Sequence, residues 1–280
     1  MTPSFSIESF ICVTCGVQHA ETQGPPRECP ICLDERQYVG LHGQQWTSLA
    51  EMRQGPWHNT FHEEEPGLVG IGTEPKFAIG QRALLVRTPD GNILWDCLSF
   101  LDDATIEAVR ALGGIAGIAI SHPHYYAAMV EWSRAFDNAP IYLHESDQQW
   151  VRRPDPNIRF WSGATRQIGA GLTLIHTPGH FDGFQVLHWQ SGAAGLGALL
   201  TGDQPTVAAD RRWVSFMYSY PNYLPLSVAE VEQIVLALEP FAFERLYGAW
   251  WPSVVYTDAK QAVRRSAARY ITRLASASTL

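Results

Sequence analysis

Ile115-Ala-Gly-Ile-Ala-Ile-Ser121-His122-Pro123-His124 is an apolar run that stops on two spaced imidazoles. Such a run reads as a buried strand, and its end is where polar side chains can emerge from the sheet. The same pattern returns at Thr177-Pro-Gly-His180 and at Thr201-Gly-Asp203, each closing an apolar stretch. A lone histidine on an apolar segment is more often a satisfied core residue than a ligand. Three imidazoles and a carboxylate at successive strand ends are a different signal, because a sheet-based enzyme collects metal ligands there from distant parts of its chain. The order points to a hydrolytic metal site.

The 280 residues are 46% hydrophobic and 17% charged, enough for one large domain with a small appendage. A formal charge of −8 gives no electrostatic footprint for nucleic acid or an anionic membrane. The longest apolar stretches, such as Ala193 to Leu200, are too short to span a bilayer, and Met1-Thr-Pro-Ser-Phe-Ser6 lacks the basic and apolar regions of a secretory signal. A cytoplasmic protein acting on a small molecule is expected, with no nucleic-acid or membrane partner; the oligomeric state stays open.

Four of the five cysteines form two tight pairs, Cys12-Val-Thr-Cys15 and Cys29-Pro-Ile-Cys32. In a reducing compartment such pairs hold metal rather than disulfides. Residues 1–40 have few core-sized side chains, and a tetrahedral Cys₄ site would supply the missing folding energy, as in zinc ribbons. The details CxxCG and CPxC also resemble the rubredoxin-like module of rubrerythrins, where the metal is iron, so zinc and iron both remain open. Cys97 stands alone and reads as a small buried hydrophobe.

Residues 41–66, rich in Gln, Gly, His, Glu and Pro, read as a connector with one helical turn at Ser48 to Arg53. His58 and His62 beside Glu63, Glu64 and Glu65 read as a solvated face. Residues 67–280 form the main domain. Arg82 to Arg87 and Asn92 to Asp96 flank an Asp90-Gly91 turn as a hairpin, and Asp103 to Leu112 is a helix with an aspartate cap. Tyr126 to Phe136 is expected to be helical. Strands are expected at Ile141–His144, Leu172–His176, Phe184–Trp189 and Ala198–Thr201. Ser227 and Glu230 open a helix as a capping box, with Val228, Val231, Ile234, Val235 and Leu238 as its buried stripe. A last helix, about Asp258 to Leu274, sets Arg264, Arg265, Arg269 and Arg273 opposite Val263, Tyr270, Ile271 and Leu274 and reads as an exterior helix rather than a membrane-surface element.

From about Ile79 to Tyr256 these residues resemble the metallo-β-lactamase-fold hydrolases, the glyoxalase-II-like superfamily. Leu94-Trp-Asp96 matches the strand-end aspartate, Ser121-His122-Pro-His124 the first half of HxHxDH, Thr177-Pro-Gly-His180 the third motif, and Thr201-Gly-Asp203 the bridging aspartate. The resemblance implies an α/β protein, a four-layer αβ/βα sandwich with its metal in a cleft at one edge. The chain departs from the family where HxHxDH wants Asp and His and it has Tyr126 and Ala127, and where the last motif supplies a histidine and it has Gly248-Ala249-Trp250-Trp251. What remains, His122, His124 and His180 with Asp203, implies a first metal site of the His₃ kind. Tyr125, Tyr126, Trp250 and Trp251 are expected to fill the space of the second metal.

A divalent metal on three imidazoles lowers the pKa of a bound water to about 7 and polarises an ester, thioester or amide carbonyl. Asp203 either completes the coordination or orients and deprotonates that water. Tyr125 and Tyr126 are candidate donors to a developing oxyanion, or walls of the cleft. His176 and His188 read as packed, hydrogen-bonded residues, while His144 ends a strand and could reach the cleft. The expectation is a mononuclear metal-dependent hydrolase. The alternatives are a catalytically inactive binding or regulatory protein on the same fold, and a redox protein in which a rubredoxin-like iron module feeds an iron site; the last fits least, since flavodiiron-like proteins use a carboxylate-rich dinuclear site and no flavin domain follows.

Overall fold

The computed structural model describes residues 7–275. The stretch Met1 to Ser6, read above as lacking a signal, lies outside the described residues. The chain divides into two compact units, one of Met1–Leu143 with Gln148–Phe160, the other of His144–Asp147 with Trp161–Leu280.

The first unit opens with a three-stranded antiparallel sheet of β1 (Glu8–Cys12), β2 (Gln18–Thr22) and β3 (Trp46–Ser48), in the order β2-β1-β3. The cysteine pairs lie at the end of β1 and around the short helix Pro30–Leu33, with Cys12, Cys15, Cys29 and Cys32 all buried. Ser48 then caps the helix Leu49–Gln54 through a full capping box with Glu51, a pair of bonds that satisfies two otherwise orphaned N–H groups.

A seven-stranded sheet follows, made of β4 (His58–Glu65), β5 (Leu68–Glu74), β6 (Ala83–Val86), β7 (Ile93–Trp95), β8 (Gly117–Ala119), β9 (Ile141–His144) and β10 (Ile158–Trp161), in the order β10-β9-β8-β7-β6-β5-β4. Strands β4 to β7 pair antiparallel, and β7-β8-β9 run parallel. The central strands are apolar on both faces, with every residue of β6, β7 and β8 buried, the signature of strands covered on both sides. Gly117 leaves room for Ile93, since a Cβ there would stand a tight 3.1 Å from Ile93 Cδ1.

Three local expectations are corrected in this unit. Residues 41–66, expected as a connector with one helical turn at Ser48 to Arg53, carry that helix as Leu49–Gln54 but also supply β3 and β4, which pairs with β5 from His58 to Glu65. Its outward residues, including His58 and His62, are polar because it is the sheet's edge, where charge protects against further pairing. The aspartate cap is Asp102 rather than Asp103; Asp102 Oδ1 accepts from Thr105 N–H at 2.9 Å. The helix expected from Tyr126 begins only at Met129, after a 3₁₀ turn at Pro123–Tyr125. Ala127 interrupts it with φ of +43°, a left-handed conformation that no helix can continue through.

The second unit is built on a six-stranded sheet of β11 (Thr165–Gly169), β12 (Leu172–His176), β13 (Gln185–Trp189), β14 (Ala198–Gly202), β19 (Arg245–Gly248) and β20 (Val254–Val255), in that order. Two ribbons, β15 (Thr206–Val207) with β16 (Val214–Ser215) and β17 (Met217–Ser219) with β18 (Leu224–Pro225), lie between β14 and β19 in sequence. Only the β14–β19 pair is parallel, and the helix Val228–Leu238 lies in the connection between them. Ser227 and Glu230 make both bonds of its capping box, and Val231, Ile234 and Leu238 are its buried stripe, with Val228 and Val235 at the margin. Each buried aliphatic side chain contributes about 1.5–3 kcal/mol. The last helix, Ala259–Ala275, buries Ala259, Ala262, Val263, Ser266 and Ala267. Its arginines are engaged at the surface: Arg264 pairs with Glu239, Arg265 with Asp258, and Arg269 lies 3.6 Å from the ring centroid of Trp213. Among the described residues no helix is long and apolar enough to cross a membrane.

Candidate metal centres

Two groups of His, Cys, Asp or Glu among the described residues have their donor atoms gathered closely enough for one ion: Cys12, Cys15, Cys29 and Cys32, and His122, His124, His180 and Asp203. Their geometry can be tested against ligand chemistry. A tetrahedron with metal–sulfur bonds of about 2.3 Å has sulfur–sulfur edges of about 3.8 Å. Cys12 Sγ lies 3.5 Å from Cys32 Sγ, and Cys15 Sγ lies 3.7 Å from Cys29 Sγ, far beyond the roughly 2.05 Å of a disulfide. The four thiols therefore stand at the spacing of four ligands of one ion. Hydrogen bonding from its neighbouring cysteines, Cys12 foremost and with His19 adding to it, pulls the Cys29 thiol well below its ordinary value, and bonding from Cys15 brings Cys12 down to about 7, whereas burial holds the Cys15 thiol and bonding from Cys12 the Cys32 thiol well above theirs. Thiolate is the species a metal binds.

Two polar side chains that the cysteine spacing did not flag sit against these sulfurs. His19 Nε2 is 3.6 Å from Cys29 Sγ, its ring edge-on to Trp46, and Gln44 Nε2 donates to Cys12 Sγ at 3.1 Å. Cys97 is buried apart from them, its thiol pushed up by burial and donating to the Leu98 carbonyl.

The second group has its donor atoms within 4.8 Å of one another, and all four residues are buried. Bonds of about 2.0–2.2 Å to one tetrahedral ion set donors about 3.3–3.6 Å apart; His180 Nε2 and Asp203 Oδ2 are 3.9 Å apart. Each half is built by local bonds. Asp96, in a left-handed turn at φ of +59° just after β7, accepts at Oδ1 from both Ser121 N–H (2.8 Å) and Ser121 Oγ (2.7 Å). Ser121 Oγ lies 2.9 Å from His122 Nδ1. This carboxylate–hydroxyl–imidazole chain fixes the His122 ring and leaves Nε2 as the nitrogen that would meet an ion. The Tyr125 ring packs on His122 at 4.4 Å, and His124 sits edge-on to His122 at 5.0 Å. Tyr126 lines a narrow cavity with Val17, Gln18, Met129 and Arg153.

In the second unit His180 Nδ1 is 3.1 Å from the Met217 carbonyl. As a donor to that oxygen, Nδ1 carries the proton and Nε2 is again the ligating nitrogen. Gln204, wholly buried, spans the two ligand-bearing segments: its Oε1 accepts from His180 N–H at 2.8 Å and its Nε2 donates to the Thr177 carbonyl at 3.0 Å. Tyr220 donates to the Asp203 carbonyl at 2.5 Å, and burial, then the Asp203 charge, raises its phenol well above the usual range. Ser121, Gln204 and Tyr220 were not picked out by sequence reasoning. The available signal was a polar residue directly beside a ligand, Ser before His122 and Gln after Asp203.

His144 belongs to neither metal group. It stacks face to face on His176 at 3.8 Å and edge-on to Trp161, while His176 Nε2 meets the Asp182 carbonyl at 2.8 Å. His188 Nε2 meets the Ala242 carbonyl at 2.8 Å, the packed role expected for it. In the segment after β19, Ala249 is buried, Trp250 half-buried and Trp251 exposed.

No family model matches the sequence. The chain is 54% identical over 268 residues to the uncharacterized protein YmaE of Bacillus subtilis (strain 168), covering 95% of this chain and 97% of that one. It belongs to the YmaE family. Solved structures similar to it are metallo-β-lactamases. One from Cronobacter sakazakii with a HARLDQ motif matches with a TM-score of 0.52 at 16% identity, covering 79% of this chain and 96% of that one. The DIM-1 metallo-β-lactamase matches at 0.56 and 10%, covering 75% and 95%, and SMB-1, in complex with mercaptoacetic acid, at 0.51 and 19%, covering 75% and 94%. This member of the YmaE family therefore has the metallo-β-lactamase fold, a mixed α/β sandwich, with a cysteine cluster at its N-terminus. At the general level fold and donor group together support a metal-dependent hydrolase.

Proposed function

We propose that the protein hydrolyses a small-molecule ester, thioester or related carbonyl compound with a single divalent ion, zinc or iron, held by His122, His124 and His180. The observation that carries this reading is the set of four buried donors, three of them imidazoles and one a carboxylate, on a metallo-β-lactamase fold. Such an ion supplies a water acidified to a pKa of about 7 and a Lewis acid for the carbonyl.

The chain's own residues do the rest. The Asp96–Ser121 chain and the Met217 carbonyl hold the His122 and His180 rings by Nδ1, so each imidazole is committed before an ion arrives. That preorganisation lowers the cost of binding. Asp203, 3.9 Å from His180 Nε2, either joins the ligands or accepts the proton of the attacking water. Its main-chain carbonyl accepts from Tyr220, which anchors the backbone that carries the carboxylate. Tyr125 serves by packing on His122, and its phenol is the candidate donor to a developing oxyanion; Tyr126 is buried and lines the narrow cavity beside Val17 and Gln18 rather than the metal group. Where the resemblance puts ligands of a second ion, this chain has Tyr126, Ala127 and Ala249, none of which offers a carboxylate or imidazole donor.

The test is a screen of ester and thioester substrates with zinc-loaded and iron-loaded protein, run beside His122→Ala and His180→Ala. Hydrolysis by the parent and its loss with the main-group ion in both variants is the expected result. Activity that persists in both variants overturns the assignment, and a loaded protein with no turnover on any substrate class favours a binding or regulatory role.

A further inference from the structure

The N-terminal knuckle is fastened to the segments that hold His122. The chain from Cys12 to Gln18 folds back on itself through Gly16 N–H to the Cys12 carbonyl (2.8 Å) and Cys12 N–H to the Val17 carbonyl (3.0 Å). Two of the bonds that leave this turn reach the segments near His122. Ser99 Oγ donates to the Gly16 carbonyl at 2.7 Å, across 83 residues of sequence, and Gln18 N–H donates to the Ala127 carbonyl at 3.0 Å. Gly16 has φ of +82°, and a Cβ there would stand 2.6 Å from Ser99 Oγ, so the approach requires glycine.

Both bonds land where His122 is positioned. Ser99 lies in the loop that opens with Asp96, the carboxylate that orients Ser121 and through it the His122 ring. Ala127, in its left-handed conformation, follows His124 by three residues, and the next residue donates to the Leu98 carbonyl at 3.3 Å, a carbonyl that also takes Trp132 Nε1 at 3.0 Å. Arg153 adds a side-chain tie, donating to both Gln18 Oε1 and Glu131 Oε1. The knuckle thus bonds both to the loop that begins with Asp96 and to the segment that follows His124, and an ion closed in by its four sulfurs would set its shape.

We propose that the cysteine site is a positioning element for the main site: His122 and His124 take up their ion at full affinity only when the Cys₄ ion is in place, with Gly16, Gln18 and Ser99 carrying the coupling. This rests on the functional reading above. Coupling between two sites is reciprocal, so an ion in the main group also protects the cysteine ion from chelators by the same factor.

The experiment uses the full chain and zinc as the probe, with Ser99→Ala, Ser99→Thr and Cys29→Ser. Backbone amide exchange is followed at residues 96–99 and 121–128, and the zinc affinity of the main group is measured by chelator competition. Ser99→Ala is expected to keep the cysteine ion, to speed exchange in both stretches, and to weaken main-group zinc by about tenfold, the lower end of what loss of an orienting bond costs a metal site. Ser99→Thr, which keeps the hydroxyl, should restore both readings, and Cys29→Ser should weaken main-group zinc at least as much as Ser99→Ala. Native exchange at 121–128 in Ser99→Ala, with zinc affinity within twofold of the parent, overturns the proposal, and does so even if Cys29→Ser fails to fold. Should the parent take up zinc at the cysteines alone, the hydrolase reading fails, and the exchange rates by themselves decide whether the knuckle braces the turn.

Discussion

Replacing Gln204 with alanine should cost the fold and the main metal site together. Its amide satisfies two groups in fully buried residues, the His180 N–H at 2.8 Å and the Thr177 carbonyl at 3.0 Å. Each buried polar group left without a partner costs about 1–3 kcal/mol. The upper sum is not reached, because a water can enter the vacated amide space and meet both groups, so a loss of about 2–4 kcal/mol is expected. The His180 backbone also loses its anchor, and a tenfold to hundredfold weaker zinc affinity follows from the usual effect of removing an orienting partner. Urea unfolding of metal-free protein measures the first quantity, provided the slope of the transition is unchanged; chelator competition measures the second. A stability change below about 1 kcal/mol with unaltered zinc affinity would refute the view that Gln204 holds the two segments in register.

Gly179→Ala should be similarly harmful for a steric reason, since φ is +150° and a Cβ would meet Leu226 Cδ1 at 2.9 Å; reduced zinc content with a lowered melting temperature is the expected result. Anomalous scattering from zinc-loaded crystals should give one peak at the His/Asp group, and a second full peak about 3.5–4 Å away would mean that other residues complete a dinuclear centre. Stability should fall on acidification through the histidine range. Burial, then the neighbouring His176, lowers the His144 pKa, and burial lowers that of His188. The unfolded chain therefore binds more protons than the fold below about pH 6.5, and stability is lost as pH drops from there through the folded values. His144→Gln and His188→Gln should each flatten that pH dependence, as measured by urea midpoints between pH 5 and 7.

The strands that lead to the ligands were legible because their apolar runs are continuous. Ile141–His144 and Leu172–His176 have the bounds that their alternation and apolar content suggest, and the hairpin around Gly91 forms β6 and β7. The donors were legible because each stands in a short local pattern of its own. What escaped was either polar or distant. Strand β4 has its charged residues on an exposed edge, so it carries little of the apolar alternation that betrays a strand. The late start of the helix at Met129 depends on a backbone angle at Ala127, a residue whose identity favours helix. The bonds of Ser99 to Gly16 and of Gln204 to His180 join residues 83 and 24 apart, and nothing in either local stretch announces a partner.

The two donor groups differ in how much chain they span. All four thiols lie between Cys12 and Cys32, whereas the imidazoles and the carboxylate are spread from His122 to Asp203. A chain growing from its N-terminus completes the first set early, while most of both large sheets is still unmade. An ion taken up by the cysteine set would then be captured during synthesis, whereas one taken up by the His/Asp set would be selected only after distant parts of the chain have come together.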